Sequence, residues 1–158
     1  INRNDFMALL QMRPDQPEES RAVEWVAYAS NAFNTMVPFY ANVERTPEYL
    51  ANTTGTVSTD NFYWTSRLIA AMADASYNKS LFHLERYEEA VLSAGRALVN
   101  QYDAKLAAEP DAARRAALRE EANTAIAAML QEKAADTLDK VLFELSSQMK
   151  NAYSRSDA

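Results

Sequence analysis

His83 is the single histidine of this 158-residue chain, and it stands in the run SLFHLERYEE beside Glu85, Glu88 and Glu89. Imidazole and carboxylates are the donors of metal centres and the acid–base groups of many hydrolases, so chemistry is sought here first. The spacing does not support it. Neither H-E-x-x-H nor E-x-x-H occurs, and a lone histidine lacks the partners a metal site needs, so His83 reads as a structural or solvated side chain. The chain contains no cysteine, which removes thiolate ligands, cysteine nucleophiles and disulfides. The usual nucleophile–base arrangements then shrink to combinations involving His83, and no G-x-S-x-G elbow is present. The two glycines, Gly55 and Gly95, cannot build a phosphate-cradling loop. No catalytic residue, metal ligand or cofactor is assigned.

The remaining acids on the C-terminal half, Glu120, Glu121, Glu132, Asp136 and Asp139, read as a solvated helix face, with Asp136 and Lys140 spaced as an i,i+4 pair. Phe62, Tyr63 and Trp64 are adjacent and spread over most of a helix circumference, which suits core packing on two sides better than a substrate pocket. A net charge of -6 and a pI near 4.8 argue against nucleic acid as a partner, since phosphate binding needs clustered Lys and Arg. The longest stretch without a charged residue, Trp25 to Val43, contains Ser30, Asn31, Asn34, Thr35 and Pro38, a poor membrane span. The start, INRNDF, shows no signal peptide and suits the interior of a longer protein.

The elements that must position these groups divide the chain unevenly. It reads as one domain over 1–158, with a strand-rich part (1–45), a connection (46–59) and a helical part (60–158). Phe6 to Met12, FMALLQM, closed by Arg13-Pro14, reads as a buried strand or a short helix segment, the strand being favoured, and Ala22 to Ala29 predicts a second strand; the two would form a hairpin with a long loop through Pro14 and Pro17. The segment from Thr46-Pro47 to Val57 is a connection. Ser58, Thr59 and Asp60 offer N-cap oxygens before a helix whose apolar face is Phe62, Thr65, Leu68, Ile69, Met72 and Ala73.

Asn78-Lys79-Ser80 interrupts that helix. A second carries Leu84, Tyr87, Val91, Leu92, Gly95, Leu98, Tyr102 and Leu106, and Gly95 marks a place where a neighbouring backbone comes close. After Glu109-Pro110-Asp111, with Pro110 in its first turn, a third helix carries Leu118, Ala122, Ile126, Met129, Leu130, Leu138, Val141, Leu142, Leu145 and Met149. Run unbroken from Asp111 to Tyr153 it would span about 65 Å, so a bend, a frayed start or a projecting arm is expected. Asp111 to Glu121 is expected to be exposed, and the tail NAYSRSDA to fray. The fold class is α+β and predominantly helical: a short β-hairpin or sheet fragment, then a bundle of about three long helices.

The stretch from Met36 to Asp74 joins the two halves, and here the chain resembles a known family. QMRPDQP, AVEWVAYAS, NTMVPFYANVERTPEYL and STDNFYWTSRLIAAMAD, in that order, resemble the C-terminal part of the bacterial cysteine-dependent dipeptidases of the N-terminal-nucleophile hydrolases. The likeness is most specific from Arg13 to Asp74. It implies a parent of αββα form, with stacked sheets between helical layers, that hydrolyses dipeptides through a cysteine at its mature N-terminus. This chain has no counterpart of that cysteine, so the resemblance implies a nucleophile-lacking part, inactive alone, whose partners are the missing N-terminal part and, in the parent, the dipeptide. It also implies strands that expose an edge and an apolar face, hence a homo-oligomer, and polar site residues among which Arg13, Tyr40 and Asn42 are the substrate-binding candidates. Absence of cysteine agrees with a cytoplasmic location. The alternative is a self-contained helical interaction or structural module without catalysis.

Overall fold

The computed structural model describes residues 5–149; the tail expected to fray and the stretch that would carry the last helix to Tyr153 lie outside them. Three strands, β1 (Phe6–Met12), β2 (Ala22–Tyr28) and β3 (Val37–Tyr40), form an antiparallel sheet in the order β1-β2-β3. Phe6 pairs with Tyr28 and Met12 with Ala22, while Val23 pairs with Tyr40 and Val26 with Val37. Helices follow: a single turn α1 (Glu48–Ala51) inside the connection, then α2 (Phe62–Ala75), α3 (Tyr77–Ala108) and α4 (Ala112–Ser147).

The sheet's two edges are treated differently. Ala41 N–H bonds to Ala22 carbonyl at 3.1 Å, so by alternation Pro38 and Tyr40 turn their backbone polar groups away from β2. Pro38 has no N–H to leave unpaired there. Tyr40 gives its N–H to Asn123 Oδ1 at 2.8 Å and accepts from Asn123 Nδ2 at 3.0 Å. The buried Asn123 side chain on α4 therefore stands in for a fourth strand. At the other edge β1 is exposed along its whole length, with Leu10 at 71% and Met12 at 64%. The expectation of a buried β1 from its apolar composition fails, since among the described residues no element covers either of its faces; the exposed edge and apolar face that the resemblance implies are what the strand shows.

One face of the sheet rests on α3. Trp25 lies beneath the Arg96 guanidinium, 5.8 Å from the ring centroid, and the Pro38 ring sits against Gly95, where a Cβ would lie 2.8 Å from Pro38 Cδ. The close approach expected at Gly95 is thus to a proline ring, not to a backbone. Tyr28, on the opposite face, packs on Phe62 with centroids 5.3 Å apart, and Tyr49 stands 6.0 Å from Phe62 on its other side.

Several local expectations are corrected. The α2 N-cap is Asn61, whose Oδ1 accepts from Trp64 N–H at 2.9 Å; Ser58 and Asp60 instead bond to each other at 3.0 Å. The α2–α3 break falls at Ser76, whose hydroxyl bonds to Met72 carbonyl and Ser80 Oγ, so Asn78, Lys79 and Ser80 are helical. Asp111 caps α4 through Arg114 N–H at 2.7 Å, which leaves Pro110 outside it. Helix α4 has 36 residues, about 54 Å at ~1.5 Å per residue. Its first turns are not simply exposed: Leu118 and Arg119 are buried, and Arg115 pairs with Glu19 at 3.0 Å. Leu142 and Met149 are exposed rather than part of the apolar stripe.

Gly95→Ala gains helix propensity of about 1 kcal/mol but drives a methyl into the rigid Pro38 ring, and overpacking of this kind costs about 1–3 kcal/mol. A net loss of stability in urea unfolding is expected, larger for Gly95→Val.

Candidate functional site

Arg13 follows β1 directly and turns its guanidinium toward α3. Its Nη1 donates to Asp103 Oδ2 at 2.6 Å and its Nη2 to Asp103 Oδ1 at 3.1 Å, a two-pronged pair, while Nη2 also bonds to the Ser20 carbonyl. Tyr40 completes the group from β3. Its single phenolic proton faces Asp103 Oδ1 at 2.8 Å and Val99 carbonyl at 3.0 Å, and the Arg13 guanidinium carbon lies 5.7 Å from the ring centroid. The side chains of Arg13 and Asp103 retain only 15% and 13% exposure. Burial first, then the hydrogen bond to Asp103 and its negative charge, push the Tyr40 phenol well above its ordinary range. A phenol held neutral is no general base at neutral pH. The three groups clamp the sheet to the helix.

Two of the three sequence candidates, Arg13 and Tyr40, are therefore brought together, and Asn42 is not. Asn42 lies beyond the end of β3 and is exposed, and its backbone carbonyl accepts from Arg119 Nε at 2.8 Å. His83 is half-buried, with Nε2 at 3.4 Å from Glu144 Oε1. Among the described residues no three His, Asp or Glu side chains gather as a metal site would require. Glu85, Glu88, Glu89, Glu121, Glu132, Asp136 and Asp139 are exposed, and Asp136 pairs with Lys140 at 2.5 Å. Glu120 differs: its Oε1 accepts from the backbone N–H of Glu44 at 2.7 Å, holding the 41–47 loop against α4.

That loop walls a depression of about 240 Å³ on the sheet face turned away from α3. Glu24, Val26 and Tyr28 of β2 and Phe39 of β3 contribute to its lining, joined by Val43 and Leu50. Glu24 is partly buried, and among the described residues no hydrogen-bond donor or cation pairs with its carboxylate. Tyr28 is pushed up by burial and, secondarily, by the charge of Glu24. Sequence reasoning missed both Asp103 and Glu24. Glu24 carried a signal: a carboxylate inside AVEWVAYA that strand alternation places on one face with Val26 and Tyr28. Asp103 carried none beyond standing next to Tyr102 on the apolar stripe.

The family model for peptidase family C69 matches residues 1–90. Over 157 residues, 99% of this chain, the sequence is 43% identical to a probable dipeptidase A of Streptococcus pyogenes serotype M18 (strain MGAS8232), of which it covers 32%. It is 36% identical to a dipeptidase of Bifidobacterium longum (strain NCC 2705), again over 99% of the chain and 36% of the relative. A dipeptidase A of Lactobacillus helveticus is 42% identical over 77 residues, 49% of this chain and 16% of that protein. The chain thus spans about a third of the length of the first two relatives.

Removing Asp103 strands Arg13 and frees the Tyr40 phenol, and breaking a nearly buried pair of this kind costs about 3 kcal/mol. Asp103→Ala is expected to lower unfolding stability by that order, and Tyr40→Phe by about 1 kcal/mol. In the double variant the two losses are expected to sum to less than their separate values; strict additivity in denaturant melts would show that the clamp is not a unit.

Proposed function

The chain belongs to peptidase family C69, and we propose that it is the C-terminal third of a dipeptidase whose nucleophile, an N-terminal cysteine, lies in the part that precedes it. One observation carries this reading: the likeness to proteins named as dipeptidases runs over 99% of the chain, yet the chain contains no cysteine. Its contribution to the enzyme then does not include the nucleophile. It supplies three strands of a sheet, the helical layer behind them, and a pocket wall on the open face.

The preceding part of the enzyme is the partner we assign to β1. An exposed apolar edge strand is a template for pairing, and Phe6, Leu9, Leu10 and Met12 are all more than half exposed. A second copy of the whole enzyme is a further partner under this reading. Among the described residues no helix is long and apolar enough to cross a membrane. A chain without disulfide-forming residues suits a reducing compartment, and we place the enzyme in the cytoplasm.

The 158-residue chain is expected to hydrolyse no dipeptide, while the longer protein that contains it hydrolyses dipeptides and loses that activity to a thiol-blocking reagent. Turnover by the 158 residues alone, or full resistance of the longer protein to the reagent, would contradict the proposal.

A further inference from the structure

Resting on the dipeptidase reading, we infer that the depression beside β2 and β3 seats one apolar residue of the substrate, with the Glu24 carboxylate binding its free α-ammonium group. Its size points to one residue and not to a whole dipeptide. At about 240 Å³ it falls below the roughly 300–1,000 Å³ of pockets that enclose larger ligands. Its chemistry is that of an amino-acid side-chain pocket, since Val26, Phe39, Val43 and Leu50 supply apolar walls, while its charged lining is Glu24 on the strand with Glu44 and Arg45 of the adjoining loop, both exposed.

Glu24 is unusual in its setting. It stands in the central strand, directly opposite Leu10 on β1 and Phe39 on β3. Neither neighbour can neutralise it, although cross-strand pairs are where a strand carboxylate ordinarily finds a cation. Among the described residues Glu24 makes no ion pair, Arg45 being part of the same lining without pairing with it, and a partly buried carboxylate left without a direct partner is costly to keep. A ligand ammonium would offset that cost. The ladders on both sides fix the β2 backbone, so the Glu24 side chain leaves the sheet from a fixed point on the pocket wall. A dipeptide has one free ammonium, and a carboxylate set at the wall of an apolar pocket selects for it over a blocked N-terminus, because burying the carboxylate against an acetyl group leaves its charge unpaired.

The test has two arms. In the first, the 158-residue chain is titrated with L-leucinamide and with N-acetyl-L-leucinamide while NMR signals of Val26, Phe39 and Leu50 are followed. The free amine is expected to shift them and the acetylated one not. Glu24→Gln is expected to weaken binding at least about tenfold, and Glu24→Asp, which keeps the charge, to retain the preference for the free amine. Equal response to both probes, no response at these residues, or unchanged affinity in Glu24→Gln would overturn the inference. In the second arm, Glu24→Gln in the longer protein is expected to raise KM for a dipeptide about tenfold with kcat within about twofold. If leucinamide binds as described and the longer protein hydrolyses no dipeptide, the dipeptidase reading falls and the ammonium site stands. If dipeptides are hydrolysed and KM is unchanged in Glu24→Gln, the site falls alone. The latter result would leave Glu24 as the pairing partner of a cation from the preceding part.

Discussion

Tyr40 holds the two halves of the molecule in one arrangement. Its backbone amide and carbonyl bond to the Asn123 side chain on α4, and its phenol bonds to Val99 and Asp103 on α3. Asp103 in turn grips Arg13 at the end of β1. One residue at the end of a four-residue strand thus couples the sheet to both long helices. A short sheet is marginal by itself in water, because its apolar faces need another layer. Here that layer is fixed by directional bonds in a nearly dry site, which specify a single register where apolar packing alone would tolerate slippage.

The same contacts give the sheet a polarity. At β3 the outer edge is finished, by a proline without an N–H and by a side-chain amide that takes the place of the next strand. At β1 nothing among the described residues finishes it. Natural sheets blunt free edges with charge, proline or cover, and β1 carries none of these along FMALLQM. On the face turned away from α3, Val26, Val37 and Phe39 are buried, whereas Phe6 and Leu10 of β1 are exposed. An edge strand left apolar along its edge and on both faces is what a sheet continuing into another part of a protein requires. This is the physical content of the proposed place within a larger dipeptidase.

Much of the fold was legible because it rests on local rules. Proline at position 14 and alternation in AVEWVAYA delimit β1 and β2 almost to the residue, and three- and four-residue spacing marks the long helices. What was missed depends on distant partners. Strand β3 contains Pro38, a residue that argues against strand until one knows that its N–H side faces no other strand. Asn123 and Asp103 look like ordinary polar residues on helices, and only the arrival of Tyr40 from more than 60 positions away makes them structural. Apolar composition alone suggests a buried β1, because it reports what a strand needs and not whether this chain supplies it; the exposed edge and face follow from the resemblance to part of a larger sheet and are found. Of the candidate site, Arg13 and Tyr40 were named, but their meeting place on Asp103 was not.

The central claim is that this sheet is one piece of a larger one. Hydrogen exchange at the β1 amides that do not bond to β2 tests it most directly, measured in the 158-residue chain at low concentration and in the longer protein. The account predicts rapid exchange at these positions in the short chain and strong protection in the long one, with the β3 amide of Tyr40 protected in both. Equal, rapid exchange of the outer β1 amides in both proteins would contradict it.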